Sequence, residues 1–521
     1  MSTDKTVTSP SSFSSSSTEF IENRRIFCGC AGANRYGILV LCLLFLSFLM
    51  SSLIAFNATF VAMMDKTTSP LYNGSVSNQT DWASSDLPIR DRRFTFGVVE
   101  KSLSFAGGFT GSMLATLPLS EMLQRYGAHK VMTVVGIVCT FATAVTPVIV
   151  SWSFPCFVVL RVISGVSISN SFPVAGCVVN EWATAAEKGL FVAVLSGYVE
   201  LSALFTMPIS GLVATKVGWD CVFYLHAILC GLFTILWAVY YRDVPVKHPF
   251  VTGREWQKIG FAKPPLLEKT APPLRRIVSS TFIWAIWIAV IGSFLVAQFT
   301  ISYSPLYLSY VLGFPTMSAG FLTIAPLAAQ LLIKLTTGLA SDRLSCLSEI
   351  SKLRLFNSIA LLGSGLLFIL VTVFPPVGNA FDVVLIIIPV ALLGFSSGGY
   401  PKCAVMVSRQ YSPFVMSIVQ IVACCSLLAG SFLVPALTRH DTFEEWRTVF
   451  LIYAIVLTLS NTIFVACARY VFVRSVKFSS LTLLQNPHRL QPPIRDLVTN
   501  PLKSQKCPIQ AGSPPILPIR T

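Results

Sequence analysis

The sequence predicts an all-α membrane protein whose twelve transmembrane helices form two six-helix bundles. Composition is the first reason: 54% of the 521 residues are hydrophobic and 12% are charged. With a mean hydropathy of +0.70, this excludes a soluble globule. Apolar runs long enough to cross a bilayer, about 20 residues for ~30 Å of hydrocarbon, recur twelve times, which is the second reason. The third is a long, basic, Pro-rich break that leaves six runs on each side.

Residues 1–36 are Ser/Thr-rich without apolar periodicity and read as a disordered cytoplasmic tail, with no h-region of a cleaved signal peptide. Cys28 and Cys30, in FCGCAG, are either palmitate acceptors or small interfacial residues. The first bundle, 37–241, holds spans near 38–63, 98–119, 131–151, 154–178, 189–213 and 219–241, with an outer loop at 64–97. The break at 242–280 is a cytoplasmic linker. The second bundle, 281–472, holds spans near 281–311, 318–340, 355–374, 383–406, 414–437 and 448–471, and a basic, Pro-rich tail at 473–521 reads as disordered.

The net charge of +15 resides in short polar breaks and tails, as the positive-inside rule requires, so nucleic acid is not a partner. The 14 Cys show neither a CxxC pair nor a His at ligand spacing, which leaves zinc and a disulfide framework unsupported. Asn73, in NGS, and Asn78, in NQT, are glycosylation acceptors in the first outer loop. They orient both termini to the cytoplasm, in the plasma membrane or an endomembrane vesicle. Arg90, Arg92 and Arg93 in the same loop oppose that orientation, softened by Asp86 and Asp91. Asn57, in NAT, lies inside the first span and is discounted as an acceptor.

The loops after the second span of each half carry related signals. GLASDR holds Gly338, Asp342 and Arg343; SEMLQRYGAHK keeps Arg125, Gly127 and Lys130, with Gln124 where the acid would stand. Asp342 is suited to accept from a helix N-terminus and Arg343 to pair across the bundle, gating the inner face; otherwise these are anchoring charges. In a six-plus-six chain this repeat resembles the major facilitator superfamily, whose halves are related by an axis along the membrane normal.

A narrower resemblance runs from about residue 35 to 472. GWDCVFYLHAILCGLFTILWAVYYRDVPVKHP (218–249), RVISG in the fourth span, MPISG at 207–211, YSPLYL in the seventh and EEWRTVFLIYA before the twelfth are similar to the anion:cation symporter family. That family includes sodium-phosphate cotransporters, sialin and vesicular glutamate transporters. The resemblance implies a small anionic substrate, a coupling ion (Na+ or H+) with no other cofactor, and Arg161 at the central anion site. A guanidinium suits that role, since it offers a bidentate fork and stays charged. Arg161 lies about 7 residues, or ~10 Å, below the outer surface, within snorkelling reach. Three ionisable positions of the family are apolar here: Ile168 replaces a Glu, Ala55 a first-span Arg and Phe105 a His.

Other intramembrane polar residues are functional candidates by default, because they are costly in lipid. Glu200 reads as a coupling acid, a partner of Arg161 or a packing residue; helix rise puts it about 9 Å deeper than Arg161, against a direct bridge. Lys402, beside Gly398, Gly399 and Pro401, is either a second anion contact on an unwound backbone or a snorkelling lysine. Lys334 is expected to snorkel. Tyr303 and Tyr307 are expected to line the seventh span at the cavity. The leading expectation is a secondary-active anion transporter, with no sign of oligomerisation and hence a monomer. An uncoupled facilitator and a non-transporting scaffold are the alternatives. An enzyme fits least, as the sequence shows no nucleophile–base pair, metal cluster or phosphate-cradling loop.

Overall fold

The computed structural model describes residues 34–64, 87–260 and 279–485, apart from 305–306, 309–310, 315, 345, 375–379, 409–411 and 439–441. Asn73, Asn78, Cys28 and Cys30 lie outside the described residues, as do 1–33 and 486–521 of the two tails. Residues Met1–Cys467 form one compact unit that carries both bundles, and Ala468–Thr521 form another.

The first six spans are α1 (Asn34–Met64), α2 (Val98–Tyr126), α3 (Ala128–Trp152), α4 with α5 (Phe154–Val166, Ser171–Trp182), α6 with α7 (Lys188–Ser196, Tyr198–Lys216) and α8 (Trp219–Tyr240). A short linker helix, α9 (Gly253–Gly260), follows. The last six are α10 (Thr281–Gln298), α11 (Thr316–Arg343), α12 with α13 (Glu349–Ser358, Ser364–Val373), α14 with α15 (Ala380–Leu392, Tyr400–Ser408), α16 (Ser412–Leu437) and α17 (Phe443–Gln485). The last helix therefore continues past 472, where the sequence predicted a disordered tail to begin.

Among the described residues, 11 helices are long and apolar enough to cross a membrane. The remaining span, α2, has the length, 29 residues, but small and polar residues dilute its hydropathy. Those residues have a packing purpose. A Cβ on Gly111 would lie 1.9 Å from the Val162 carbonyl oxygen, and one on Gly165 would lie 2.0 Å from that of Gly108. Backbones of α2 and α4 thus touch, as small residues allow in membranes.

Several spans depart from the α-helix midway. The fourth has a turn at 167–170, the seventh and ninth have π-helical stretches at Phe299–Tyr303 and Ile359–Gly363, and the tenth has a tight 3-10 stretch, Leu393–Gly398, just before Lys402. Irregular backbone at such depth is sustained only where protein or a cavity surrounds it.

One face gathers the ends of many spans. The Arg35 guanidinium donates to both Glu187 oxygens at 3.0 Å, and the Arg35 backbone N–H donates to Glu255 of α9 at 3.0 Å. The N-terminus of α3 is capped by Asp243, which accepts from the His129 N–H at 2.9 Å. We call this the inner face. On the opposite, outer face Arg93 is buried and donates to the carbonyls of Arg90 (2.8 Å) and Arg92 (3.0 Å). Arg90 pairs with Asp91 at 3.5 Å. Arg90 and Arg93 therefore have local partners in the loop that appeared to oppose the orientation.

Candidate functional site

Arg161 is placed by its neighbours' smallness. Gly107 of α2 faces its stem, and a Cβ there would come within 3.0 Å of the Arg161 Cβ. The side chain turns inward, 4% exposed, with Nε donating to the Ser104 carbonyl at 3.1 Å and the guanidinium carbon 4.2 Å over the Phe56 ring. Among the described residues no carboxylate forms an ion pair with it, and the Ser104 bond is its one hydrogen bond. The rest of the fork faces a small cleft. Asn57, Phe105 and Phe109 wall it from the first bundle, and Gln298, Ser302 and Leu427 from the second. Arg161 does not snorkel; it is buried between the bundles.

The Gln298 amide nitrogen donates to Ser431 at 2.8 Å and to Ser302 at 3.1 Å, which fixes its orientation in the wall. The expected tyrosines stand elsewhere. The Tyr303 hydroxyl donates to the Ser431 carbonyl at 3.0 Å, and Tyr307 is buried against Trp446 and Phe450, with ring centroids 5.2 Å away in each case. Neither lines the Arg161 cleft. Ile301 and Ser302, three and four residues beyond Gln298 and so on its side of the helix, line the cleft in their place.

A second, larger cavity also lies between the bundles. Glu200 and Ser196 contribute from the fifth span, Ser293, Gln330 and Lys334 from the seventh and eighth, and Ser396 and Tyr400 from the tenth. Lys334 does not snorkel: its ammonium donates to Glu200 Oε1 at 2.7 Å and to the Ser196 carbonyl at 3.2 Å. Glu200 and Arg161 line separate cavities, and the carboxylate is paired to Lys334.

Lys402 belongs to neither cavity's lining. Its ammonium donates to Ser341 at 2.8 Å and to Asp342 at 3.1 Å, and lies 3.6 Å from Glu349. The structure thus draws it to the inner-face motif and away from Arg161, because two carboxylates there neutralise it. Asp342 in turn accepts the N–H groups of Gly189 (3.0 Å) and Leu190 (2.8 Å) at the N-terminus of α6. Gly338 makes room for this crossing, since a Cβ on it would meet the Ala193 Cβ at 2.4 Å. Arg343 is exposed and forms no ion pair among the described residues. In the first half Arg125 pairs with Glu121 on its own helix, Gly127 takes φ 87° between α2 and α3 where a Cβ would strike Asp243, and Lys130 is exposed.

Sequence reasoning missed Asn57, Gln298 and Ser302 at the cleft and Lys334 as the partner of Glu200. Asn57 and Gln298 are uncharged polar residues within apolar spans, which was a usable signal; Lys334 was visible, but its partner sits 134 residues away.

Two bundles of six spans packed around interbundle cavities, with breaks in several helices, define the architecture of a two-bundle membrane transporter. The chain belongs to the Major Facilitator Superfamily: the family model matches residues 40–408. Among curated relatives, sialin of Ovis aries is 25% identical over 369 residues, covering 69% of this chain and 74% of that protein. Sodium-dependent phosphate transport protein 3 of Mus musculus is 23% identical over 367 residues, with 70% and 76% covered. Vesicular glutamate transporter 1 of Xenopus laevis is 22% identical over 390 residues, with 73% and 67% covered. Among solved structures, the proton:xylose symporter XylE superposes with a TM-score of 0.62 at 14% identity, covering 82% of this chain and 94% of that one, which shows the fold.

Proposed function

We propose that the protein is a secondary-active transporter of a small organic or inorganic anion, working by alternating access. One observation carries the reading: a buried guanidinium without a carboxylate partner among the described residues opens on a cleft walled by both bundles. A charge held there without a partner is costly unless a ligand supplies one. A carboxylate or phosphate fits the fork, and Asn57, Gln298 and Ser302 stand beside it. Its relatives include a sodium-dependent phosphate transport protein and a vesicular glutamate transporter, which agrees with an anionic cargo.

In this reading Na+ or H+ is the coupling ion and the inner face is cytoplasmic, with both termini on that side. The motifs at Arg125, Gly127 and Lys130 and at Gly338, Asp342 and Arg343 gate it. The protein acts as a monomer in the plasma membrane or an endomembrane vesicle, glycosylated at Asn73 and Asn78. A second reading, an uncoupled potential-driven facilitator, is favoured by the apolar residues Ala55, Phe105 and Ile168, of which Phe105 lines the Arg161 cleft.

Uptake of labelled phosphate, urate, glutamate, sialate and simple aromatic acids into vesicles holding the purified chain tests this, with imposed proton, sodium or potential gradients. Gradient-dependent accumulation that disappears in Arg161→Ala is expected. Uptake that follows potential alone selects the facilitator, and no uptake of any anion by folded protein defeats both in favour of a scaffold.

A further inference from the structure

The Glu200–Lys334 pair joins the two bundles well away from Arg161. Both residues are more than nine-tenths buried, Lys334 Nζ bonds Glu200 Oε1, and among the described residues Glu200 Oε2 has no hydrogen-bond partner. The pair lines the second cavity, whose wall also carries Ser293, Gln330, Ser396 and Tyr400. The fifth span breaks at Gly197 beside Glu200, and the tenth is 3-10 helical at Ser396.

In the alternating-access reading, rocking the bundles apart on the inner face would separate the fifth span from the eighth and break this ion pair. Breaking a buried pair by removing one partner strands an uncompensated charge and is strongly unfavourable. The Asp342 contacts nearer the surface are less enclosed, since Asp342 is half-buried, and water replaces their partners. Deep in the cavity each member of the pair needs a substitute of its own.

We infer that Glu200 and Lys334 form a charge latch that an anion and a proton release together. The anion arriving from the Arg161 cleft takes the Lys334 ammonium, and a proton from the outer aqueous side binds Glu200. Both charges are then satisfied, the bundles separate, and anion and proton leave on the inner side. Lys334 is thus a second binding cation for a carboxylate or phosphate, and Glu200 the proton carrier. The ionisable groups presented around the pair are Tyr198 on Glu200's own helix and Tyr400 from the tenth span, with Cys424 of the eleventh facing Tyr198. His226 of the sixth span meets the Phe205 ring, farther along α7. The latch rests on the transport reading above and specifies its coupling.

The test uses the full chain in vesicles, the same anion panel, clamped zero potential and an imposed gradient of one pH unit. One proton carried with one monovalent anion supports roughly tenfold accumulation under that gradient. Glu200→Gln is expected to reduce the accumulation to equal concentrations on both sides. Tenfold accumulation retained in Glu200→Gln, or wild-type uptake indifferent to the pH gradient, overturns the latch. A transport-free measurement accompanies it: the distance between genetically encoded labels at Met122 and Val407, both exposed toward the inner ends of their helices. The distance should lengthen in the wild type at acidic pH with phosphate present, and already be long at neutral pH in the double variant Glu200→Gln, Lys334→Gln. Unchanged distances in both overturn the latch. If the labels respond while no anion is taken up, the transport reading fails and with it the carrier roles of Glu200 and Lys334, and only the charge-controlled opening stands.

Discussion

Replacing Arg161 by Met should raise the thermal stability of the protein while ending its uptake. The two effects share one cause. Taking an ion out of water costs several kcal/mol even after relaxation. The guanidinium recovers part of this from the Ser104 carbonyl, about 1.5–3 kcal/mol for a bond to a charged group, and from the Phe56 face, about 0.5–2 kcal/mol. No carboxylate among the described residues supplies the remainder. The two contacts return about 2–5 kcal/mol of a cost of several, so the side chain carries a net cost on the order of 1 kcal/mol, roughly fivefold in an equilibrium constant. Met fills similar volume with no charge, so its melting temperature in detergent, by nanoDSF, should exceed the wild type's by a few degrees. On the proposed anion reading, saturating anion should narrow the difference, because only the wild type keeps the guanidinium that would bind it. A fall in melting temperature with anion absent would show that the guanidinium holds the bundle together, and the argument from an uncompensated charge would be lost.

Asp342→Asn keeps the shape but weakens acceptance from Gly189 and Leu190 and strips Lys402 of one anion. The inner face should open more often, read as faster labelling of a reporter at Ala193 and a melting temperature lowered by the loss of about 1.5–3 kcal/mol per charged bond. Gly165→Ala should cost about 1–3 kcal/mol or more by overpacking, because its Cβ would press on the Gly108 carbonyl. Gly211→Ala, with nothing within 4 Å, should be neutral or gain up to ~1 kcal/mol in helix propensity; comparing the two melting temperatures checks this. For Glu187, burial pushes the carboxyl up, but hydrogen bonds from Tyr36, Thr184 and Arg35 outweigh it and hold it below its ordinary value of 4.5. A depressed folded-state value means this contribution is complete above the ordinary value and lost as pH falls through the depressed one. Melting temperature plotted against pH should lose its Glu187-dependent drop at acid pH in Glu187→Gln.

How much was legible varies by element. Spans such as 131–151 and 219–241 were visible because each is a self-contained apolar run, and the structure places helices at Ala128–Trp152 and Trp219–Tyr240. The second span was also found, although its glycines lower its hydropathy, since crossing length and flanking charges still mark it. At the site, Arg161 stood out as a charge in an apolar run. Tyr303 and Tyr307 were expected at the cavity from the resemblance; Gln298, Ile301 and Ser302, spaced i, i+3 and i+4, share the face toward the cleft, and the two tyrosines fall off that face. Lys334 and Lys402 looked alike as intramembrane lysines. Their different partners, Glu200 and Asp342, come from different positions in the fold.

What the sequence determined by itself was the number of crossings, the division into two halves and the presence of an arginine that lipid would not tolerate. These depend on the free energy of moving individual segments out of water, which is local in the chain. Only the tertiary structure decided which charges meet. It set Arg161 alone at a cleft shared by both bundles, joined Glu200 to Lys334 across them and gathered Lys402 to Asp342. Electrostatic pairing depends on distances between residues far apart in sequence, and those distances exist only once the helices have packed.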